Sequence, residues 1–301
     1  MINRERIAES FQRLVSMDSV SREEGALCRA MEEQLKAMGA EVIIDSAAEK
    51  TGSDSGNLSA KFRGTANAPS MMLNAHLDTV EPGRGIRPVF KDGVFTSSGD
   101  TILGADDKSA IAILLEAIRV VLENNLPHGP IELVLTVCEE VGLLGAKHLE
   151  YEHIDSKFGY ALDTTPTDAI ITRAPALNLI DVKVHGRDAH AGAAPEKGIN
   201  AICLAAKALS LLAIGRVDHE TTCNIGMIDG GYATNIVPSL VTLKGEVRSH
   251  DMKKLQAVTD TIKSAFEKAV ADHSSGGDGG GGPALEFLAT RDFSNTHIPE
   301  D

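Results

Sequence analysis

Apolar residues recur at helical spacing twice near the start of the chain. Ile7, Phe11, Leu14 and Val15 share one face, and Leu27, Met31, Leu35 and Met38 repeat the pattern up to Gly39. Two amphipathic helices are predicted there. Glu41 to Asp45 (EVIID) reads as a strand, Ser53 to Asn57 as a polar turn, and Leu58 to Phe62 and Met71 to Ala75 as further strands. Met71 to Ala75 and Ile131 to Val137 (IELVLTV) carry apolar side chains on consecutive residues, as strands covered on both faces do. Between them, Asp107 to Asn124 reads as a long apolar helix. A short helix at Leu143 to Leu149 and a strand at Gly159 to Leu162 follow. Strands alternating with helices predict an α/β layer, with a mixed, largely parallel sheet flanked by helices.

After about Ala174 the rhythm changes. A strand at Leu179 to Val184 precedes a helix at Asn200 to Ala213, and strands follow at Asn224 to Ile228 and Val241 to Val247. A second helix over Asp251 to Asp272 and a last strand at Ala284 to Leu288 complete the order βαββαβ, the ferredoxin-like or split βαβ unit. The boundaries are 1–173 for the first part, 174–290 for the second and 291–301 for a short tail. A length of 301 residues agrees with about two domains at roughly 150 residues each. The stretch Ser274 to Gly282 (SSGGDGGGG) reads as a flexible connector, and no helix follows it to aim an N-terminus at an anion.

Composition narrows the function. Hydrophobic residues make up 43% and charged residues 24%, as in ordinary globular proteins. The formal charge of −14 repels phosphate backbones and anionic lipid, which argues against nucleic-acid and membrane partners. It suits a protein that gathers carboxylates around cations. No apolar run reaches the roughly 18 residues of a membrane span, and MINRERIAES lacks the apolar core of a signal peptide. Cys28, Cys138, Cys203 and Cys223 stand far apart without a C-x-x-C pair, so a reduced, cytoplasmic setting is expected.

Polar residues interrupt the apolar strands in a few places. His76 and Asp78, at the end of the Met71 strand, share one side of an extended backbone. Asp106 and Asp107 open the long helix, Glu139 and Glu140 follow the IELVLTV strand, and Asp163 ends the Gly159 strand. Each has an ordinary explanation when taken alone: a local hydrogen-bonded pair, helix capping, or solvated surface. Together they lie at successive strand ends, where sites form in open α/β sheets. One imidazole with several carboxylates is a donor set suited to Zn²⁺, Mn²⁺ or Co²⁺. Two adjacent glutamates divide naturally into one ligand and one free base. Cys138 beside them reads as packing at the end of a buried strand rather than as a nucleophile. His153, His185 and the other scattered histidines read as surface or helix-end residues.

These residues resemble the signatures of the M20 metallopeptidases. The resemblance runs through His76-Leu77-Asp78, Gly104-Ala105-Asp106-Asp107-Lys108, Glu139-Glu140-x-Gly142 and Ala161-Leu162-Asp163. It continues through His190-Ala191-Gly192, Ala233 to Pro238 (ATNIVP) and Gly245 to Ser249 (GEVRS), in the family's order. The peptidase T (tripeptide aminopeptidase) branch is the most similar. The resemblance implies a zinc-exopeptidase-like catalytic domain over 1–173, a lid and dimerisation domain over 174–290, and the start of a return to the catalytic domain at 291–301. It also implies two Zn²⁺ ions per subunit, with Co²⁺ or Mn²⁺ as substitutes. His76 and Asp163 would hold one ion, Glu140 the other, and Asp106 would bridge them, with the Asp106–Asp107 peptide bond cis. Asp78 would orient the His76 imidazole, and Glu139 would move the proton of the attacking water. His190, Asn235 and Arg248 would bind substrate, His190 across a homodimer formed by the lids.

In the family the chain returns from the lid to the catalytic domain, where a further histidine completes the second metal site. This sequence reaches Asp301 without a residue matching that histidine, so the resemblance implies a weakened second site and impaired turnover. The leading expectation is hydrolysis of short peptides by an aminopeptidase-like, two-metal enzyme. Two alternatives stay open: a metal- or peptide-binding M20 fragment without catalysis, and an M20 amidohydrolase acting on N-acyl amino acids.

Overall fold

The structure is a computed structural model that describes residues 1–165, 168–274 and 282–299. The glycine-rich connector at 275–281 lies outside the described residues. The chain divides into two compact units, Met1–Asp168 and Ala169–Asp301.

The first unit contains α1 (Arg4–Val15), α2 (Gly25–Ala37), β1 (Glu41–Ile44), α3 (Ala48–Thr51), β2 (Leu58–Phe62), β3 (Met71–His76), β4 (Pro88–Lys91) and β5 (Val94–Ser97). It continues with α4 (Ala105–Glu123), β6 (Ile131–Thr136), α5 (Leu144–Lys147) and β7 (Gly159–Ala161). Its main sheet has the order β1-β2-β6-β3-β7. The sheet is mixed as expected, with β1–β2 and β2–β6 antiparallel. The parallel pairs are confined to the half that matters here, β3 with β6 and β3 with β7. Every residue of β6 is buried, the apolar Leu133 to Leu135 and the polar Glu132 and Thr136 alike. Leu14, Leu27, Met31, Leu35, Leu115 and Ile118 bring the buried stripes of α1, α2 and α4 into the same core as Leu133 and Leu135.

Two local features differ from the periodic reading. The helix α4 opens at Ala105, yet Asp106 and Asp107 have non-helical dihedrals, so the regular turns start only after them. The periodicity also does not predict the β4–β5 hairpin. Its signal lies in the turn Asp92-Gly93 between two apolar pairs, where both residues adopt positive φ as a two-residue hairpin turn requires.

The second unit contains β8 (Arg173–Ala174), β9 (Ala176–His185), β10 (Ala189–His190), α6 (Ala201–Leu209), β11 (Gly215–Arg216), β12 (Thr221–Gly230) and β13 (Ile236–Val237). It ends with β14 (Leu240–Ser249), α7 (Met252–Ser274), β15 (Ala284–Phe293) and β16 (Thr296–His297). The main sheet runs β11-β12-β14-β9-β15 and is antiparallel throughout. Without the short edge strand β11, this is the ferredoxin-like order that βαββαβ predicts. Along β9, Ile180, Val182 and Val184 are buried while Asp181 and Lys183 are exposed, the alternation of a sheet covered on one face. Leu204, Leu255, Ile262 and Phe266 of α6 and α7 supply that cover. α6 begins at its Asn200 cap, whose side chain accepts the Cys203 N–H at 3.0 Å.

Glu132 ties the sheet of the first unit to the segment leading into β7. Its buried carboxylate accepts the N–H groups of Asp155 at 2.9 Å and Ser156 at 2.8 Å, with Lys61 Nζ at 3.3 Å. Burial opposes its charge, but Ser156, Asp155 and Lys61 together hold the carboxyl below its usual range. A depressed folded pKa contributes stability above the unfolded value of about 4.3, which is lost as pH falls. Glu132→Gln should therefore lower unfolding free energy by about 1–3 kcal/mol at neutral pH. The gap should narrow below about pH 4.3, and denaturant unfolding at neutral and acid pH checks this.

Candidate metal centre

Parallel neighbours end on the same edge of a sheet, so the carboxyl ends of β6, β3 and β7 lie side by side. His76 is the last residue of β3, Glu139 and Glu140 follow β6, and Asp163 follows β7. The start of α4 adds Asp106. The structure brings all five together. His76 Nε2 lies 3.1 Å from Asp106 Oδ1, 3.9 Å from Glu139 Oε2 and 4.0 Å from Asp163 Oδ1. One grouping joins His76, Asp106 and Glu140, and another His76, Glu139 and Asp163, with the ligand atoms of each within 4.8 Å of one another. The imidazole is buried, whereas Asp106 and Asp163 are exposed. The Asp106–Asp107 peptide is cis.

Asp78 is fully buried and does more than face the imidazole. Its carboxylate lies 3.4 Å from His76 Nδ1, but the nearer partner of that nitrogen is the Asp78 carbonyl oxygen at 2.9 Å. The carboxylate instead accepts the Glu139 N–H at 2.9 Å, the Glu140 N–H at 3.1 Å and the Ser21 hydroxyl at 2.7 Å. It orients His76 through the backbone and the glutamate loop through their amides. Burial opposes its charge, yet His76, Ser21 and the Glu139 amide hold it below the usual carboxylate range.

The loop bearing the glutamates is tightly folded. Leu143 and Gly142 donate their N–H groups to the Glu139 carbonyl, and Gly145 donates to the Val137 carbonyl at 3.0 Å. A Cβ on Gly145 would collide with that carbonyl oxygen, so only glycine permits this approach. Asn57 clasps the loop base, accepting the Val137 N–H at 3.1 Å and donating to the Gly145 carbonyl at 3.0 Å.

The electrostatics are those of crowded carboxylates around one imidazole. Set by the side chains alone, burial disfavours charge on His76, but Asp78, Asp107 and Glu139 outweigh it and push the imidazole up to about 10. Burial, with neighbouring acids, raises Glu139, Glu140 and Asp163 above their usual range. Burial also pushes Asp107 up to about 8. A divalent cation would relieve this crowding, and nitrogen plus carboxylate oxygen donors form a set that fits one.

By its place in the sequence Asp107 has only a capping part. In the fold it is buried and its Oδ2 accepts the His76 backbone N–H at 3.1 Å, fixing the end of β3. Lys108 is fully buried, its Nζ donating to the Met17 carbonyl at 2.7 Å, and burial lowers it to about 8. Cys138 is buried with its thiol pushed up to about 12, first by burial and then by Glu24, which fits packing and not nucleophilic attack. His153 and His185 do find acidic partners, Glu150 at 3.1 Å and Glu286 at 2.8 Å.

The remaining candidates stand in the second unit. His190 and Asn235 are exposed neighbours: β10 pairs with β13, and the Asn235 carbonyl accepts the Ala191 N–H at 2.8 Å. Arg248, on β14, is not in that pair. Its guanidinium grips Glu246 with two bonds of 2.8 and 3.1 Å.

Comparison with known proteins finds similarity to peptidases. The family model described as Peptidase dimerisation domain matches residues 178–274, and that of Peptidase family M28 matches residues 57–171. A tripeptidase from Staphylococcus aureus superposes with a TM-score of 0.93 at 37% identity, covering 100% of this chain and 79% of that one. Aminopeptidase PepT from Bacillus cereus gives 0.90 at 39% identity, covering 99% of this chain and 79% of that one. The uncharacterized protein YqjE of Bacillus subtilis is 42% identical over 273 residues, which is 90% of this chain and 74% of YqjE.

Asp78→Asn tests the loop geometry. An amide would set an NH₂ group against a Glu139 or Glu140 N–H, leaving donors opposed. Divalent-metal affinity by calorimetry should fall about 10- to 100-fold, with a lowered melting temperature. Affinity equal to the parent's would contradict the arrangement.

Proposed function

This chain belongs to the M20 family of metallopeptidases, near its peptidase T branch, and from that premise we propose that it removes the N-terminal residue from short peptides, tripeptides foremost. The observation that carries the proposal is the convergence of His76, Asp106, Glu139, Glu140 and Asp163 at the ends of three adjacent strands. The likeness to a tripeptidase over the whole chain supports the same substrate class.

In this reading His76 and Asp163 would hold one divalent ion and Glu140 a second, with Asp106 available to both. Zinc suits the nitrogen and oxygen donors, and cobalt or manganese could replace it. When bound, such ions would supply polarisation of the scissile carbonyl and a lowered pKa, about 7, for the attacking water. Asp78 keeps the imidazole and both glutamate amides in place. Glu139 carries the proton. Its half-buried carboxylate, with Oε2 3.9 Å from His76 Nε2, stands where it can take a proton from the water and return it to the departing amine. His190 and Asn235 contact substrate as a pair. Arg248 meets a substrate carboxylate only by exchanging it for Glu246, its present bidentate partner.

The match to a peptidase dimerisation domain supports a homodimer formed by the second unit, through which His190 would serve the partner's site. Among the described residues no helix is long and apolar enough to cross a membrane. We place the protein in the cytoplasm, where its free cysteines stay reduced.

The two glutamates separate the roles. Glu139→Gln should keep bound zinc while losing about 100-fold or more in turnover of a tripeptide, because an amide cannot take the water's proton. Glu140→Gln should lose metal as well as turnover. Metal analysis alongside tripeptide kinetics checks both, and equal metal content in the two variants would refute the division. Light scattering at micromolar concentration should give the mass of a dimer, and a strictly monomeric species would leave His190 without its duty.

A further inference from the structure

Asp78 is not alone beneath the glutamate loop. Glu24, the residue preceding α2, is also fully buried. At a helix start a glutamate suggests capping, but this side chain makes no cap bond. It reaches instead across the fold. Glu24 Oε1 accepts the Cys138 N–H at 2.9 Å and the Arg22 N–H at 3.0 Å, and lies 3.4 Å from Cys138 Sγ. Its Oε2 accepts the Ser53 hydroxyl at 2.5 Å. These partners are neutral donors, and a carboxylate, being acceptor-only, can take them all.

The consequence is a pattern along the loop. Three consecutive amides, those of Cys138, Glu139 and Glu140, all point into buried carboxylates: the first into Glu24, the next two into Asp78. Cys138 adopts φ +53°, a left-handed conformation that a side-chain-bearing residue keeps only where its surroundings enforce it. Successive N–H groups turned to one side form a concavity that binds anions. Here the protein fills it with its own two acids.

We propose that Glu24 is a positioning residue for the site: with Asp78 it fixes the backbone of residues 138–140 and so sets where the Glu139 and Glu140 carboxylates stand. This inference rests on the roles given above to those two glutamates. Glutamine at position 24 can keep the bond to the Cys138 amide and let the Ser53 hydroxyl turn to accept. Methionine fills similar space and accepts nothing.

The test compares Glu24→Met and Glu24→Gln with the parent by residue-resolved amide hydrogen exchange on metal-stripped protein, then by zinc calorimetry and tripeptide kinetics. Glu24→Met should speed exchange at the Cys138, Glu139 and Glu140 amides about tenfold or more, while amides of β6 and α4 keep parental rates. Zinc affinity should fall about 10- to 100-fold, and kcat should fall with KM near the parent's. Glu24→Gln should return these readouts toward parental values. Exchange at the three amides within about twofold of the parent, or a rise spread evenly over the first unit, would overturn the proposal, the latter by showing general stabilisation only. Should Glu24→Met not fold, Ser53→Ala decides: about threefold faster exchange at the same amides supports the proposal, and unchanged exchange overturns it. A parent that cleaves no peptide would refute the proposed hydrolysis, whereas the exchange pattern needs no substrate and judges Glu24 separately.

Discussion

Crowding of like charge is the constraint on which the first unit is organised. Asp106, Glu139, Glu140 and Asp163 gather around one buried imidazole, with Asp78 and Asp107 directly behind it. Left to themselves, such groups would move apart or take up protons; burial first, and the neighbouring acids with it, raise Asp107, Glu139, Glu140 and Asp163. His76, Glu139, Glu140 and Asp163 remain close because the strands they end or follow are paired side by side. β6, β3 and β7 are joined as parallel neighbours, and β3 and β6 are in register from Met71 opposite Ile131 to His76 opposite Thr136. Their ends meet wherever the sheet meets.

The loops beyond those ends need their own restraint, and buried polar side chains supply it. Asp78 and Glu24 take three successive amides, Asn57 clasps Val137 to Gly145, and Asp107 takes the amide of His76. Each bond spans a long stretch of sequence and ends on a buried side chain, where an unmet group costs about 1–3 kcal/mol. The same acids that look like site chemistry are therefore also structural acceptors. Asp78 joins the two uses most closely.

The second unit follows a different logic. Its antiparallel sheet needs helices on one face only, and α6 and α7 provide them. Candidate chemistry-bearing residues sit outside that core: His190 on the small β10–β13 pair, Asn235 just before β13, and Arg248 on the sheet but matched by Glu246. The second unit, which matches a peptidase dimerisation domain, carries its candidate contacts on the surface, and the candidate metal ligands lie in the first unit.

Periodicity alone determined much of this architecture. The amphipathic stripes of α1 and α2, the mostly apolar β6 and the βαββαβ order of the second unit were legible because burial of one face or two writes itself directly into the sequence. His76, Asp106, Glu139, Glu140 and Asp163 were legible for a related reason, as polar residues ending apolar strands or opening a helix. Their ordered likeness to M20 signatures then implied roles that spacing alone does not. What the sequence could not reveal is who holds whom. Glu24 looks like a helix-start acid and Asp107 like a cap, and the Arg248–Glu246 grip draws no attention on an alternating strand. Such partnerships are made by donors and acceptors far apart in the chain. They exist only once the sheet register and the packed core have set the distances between them.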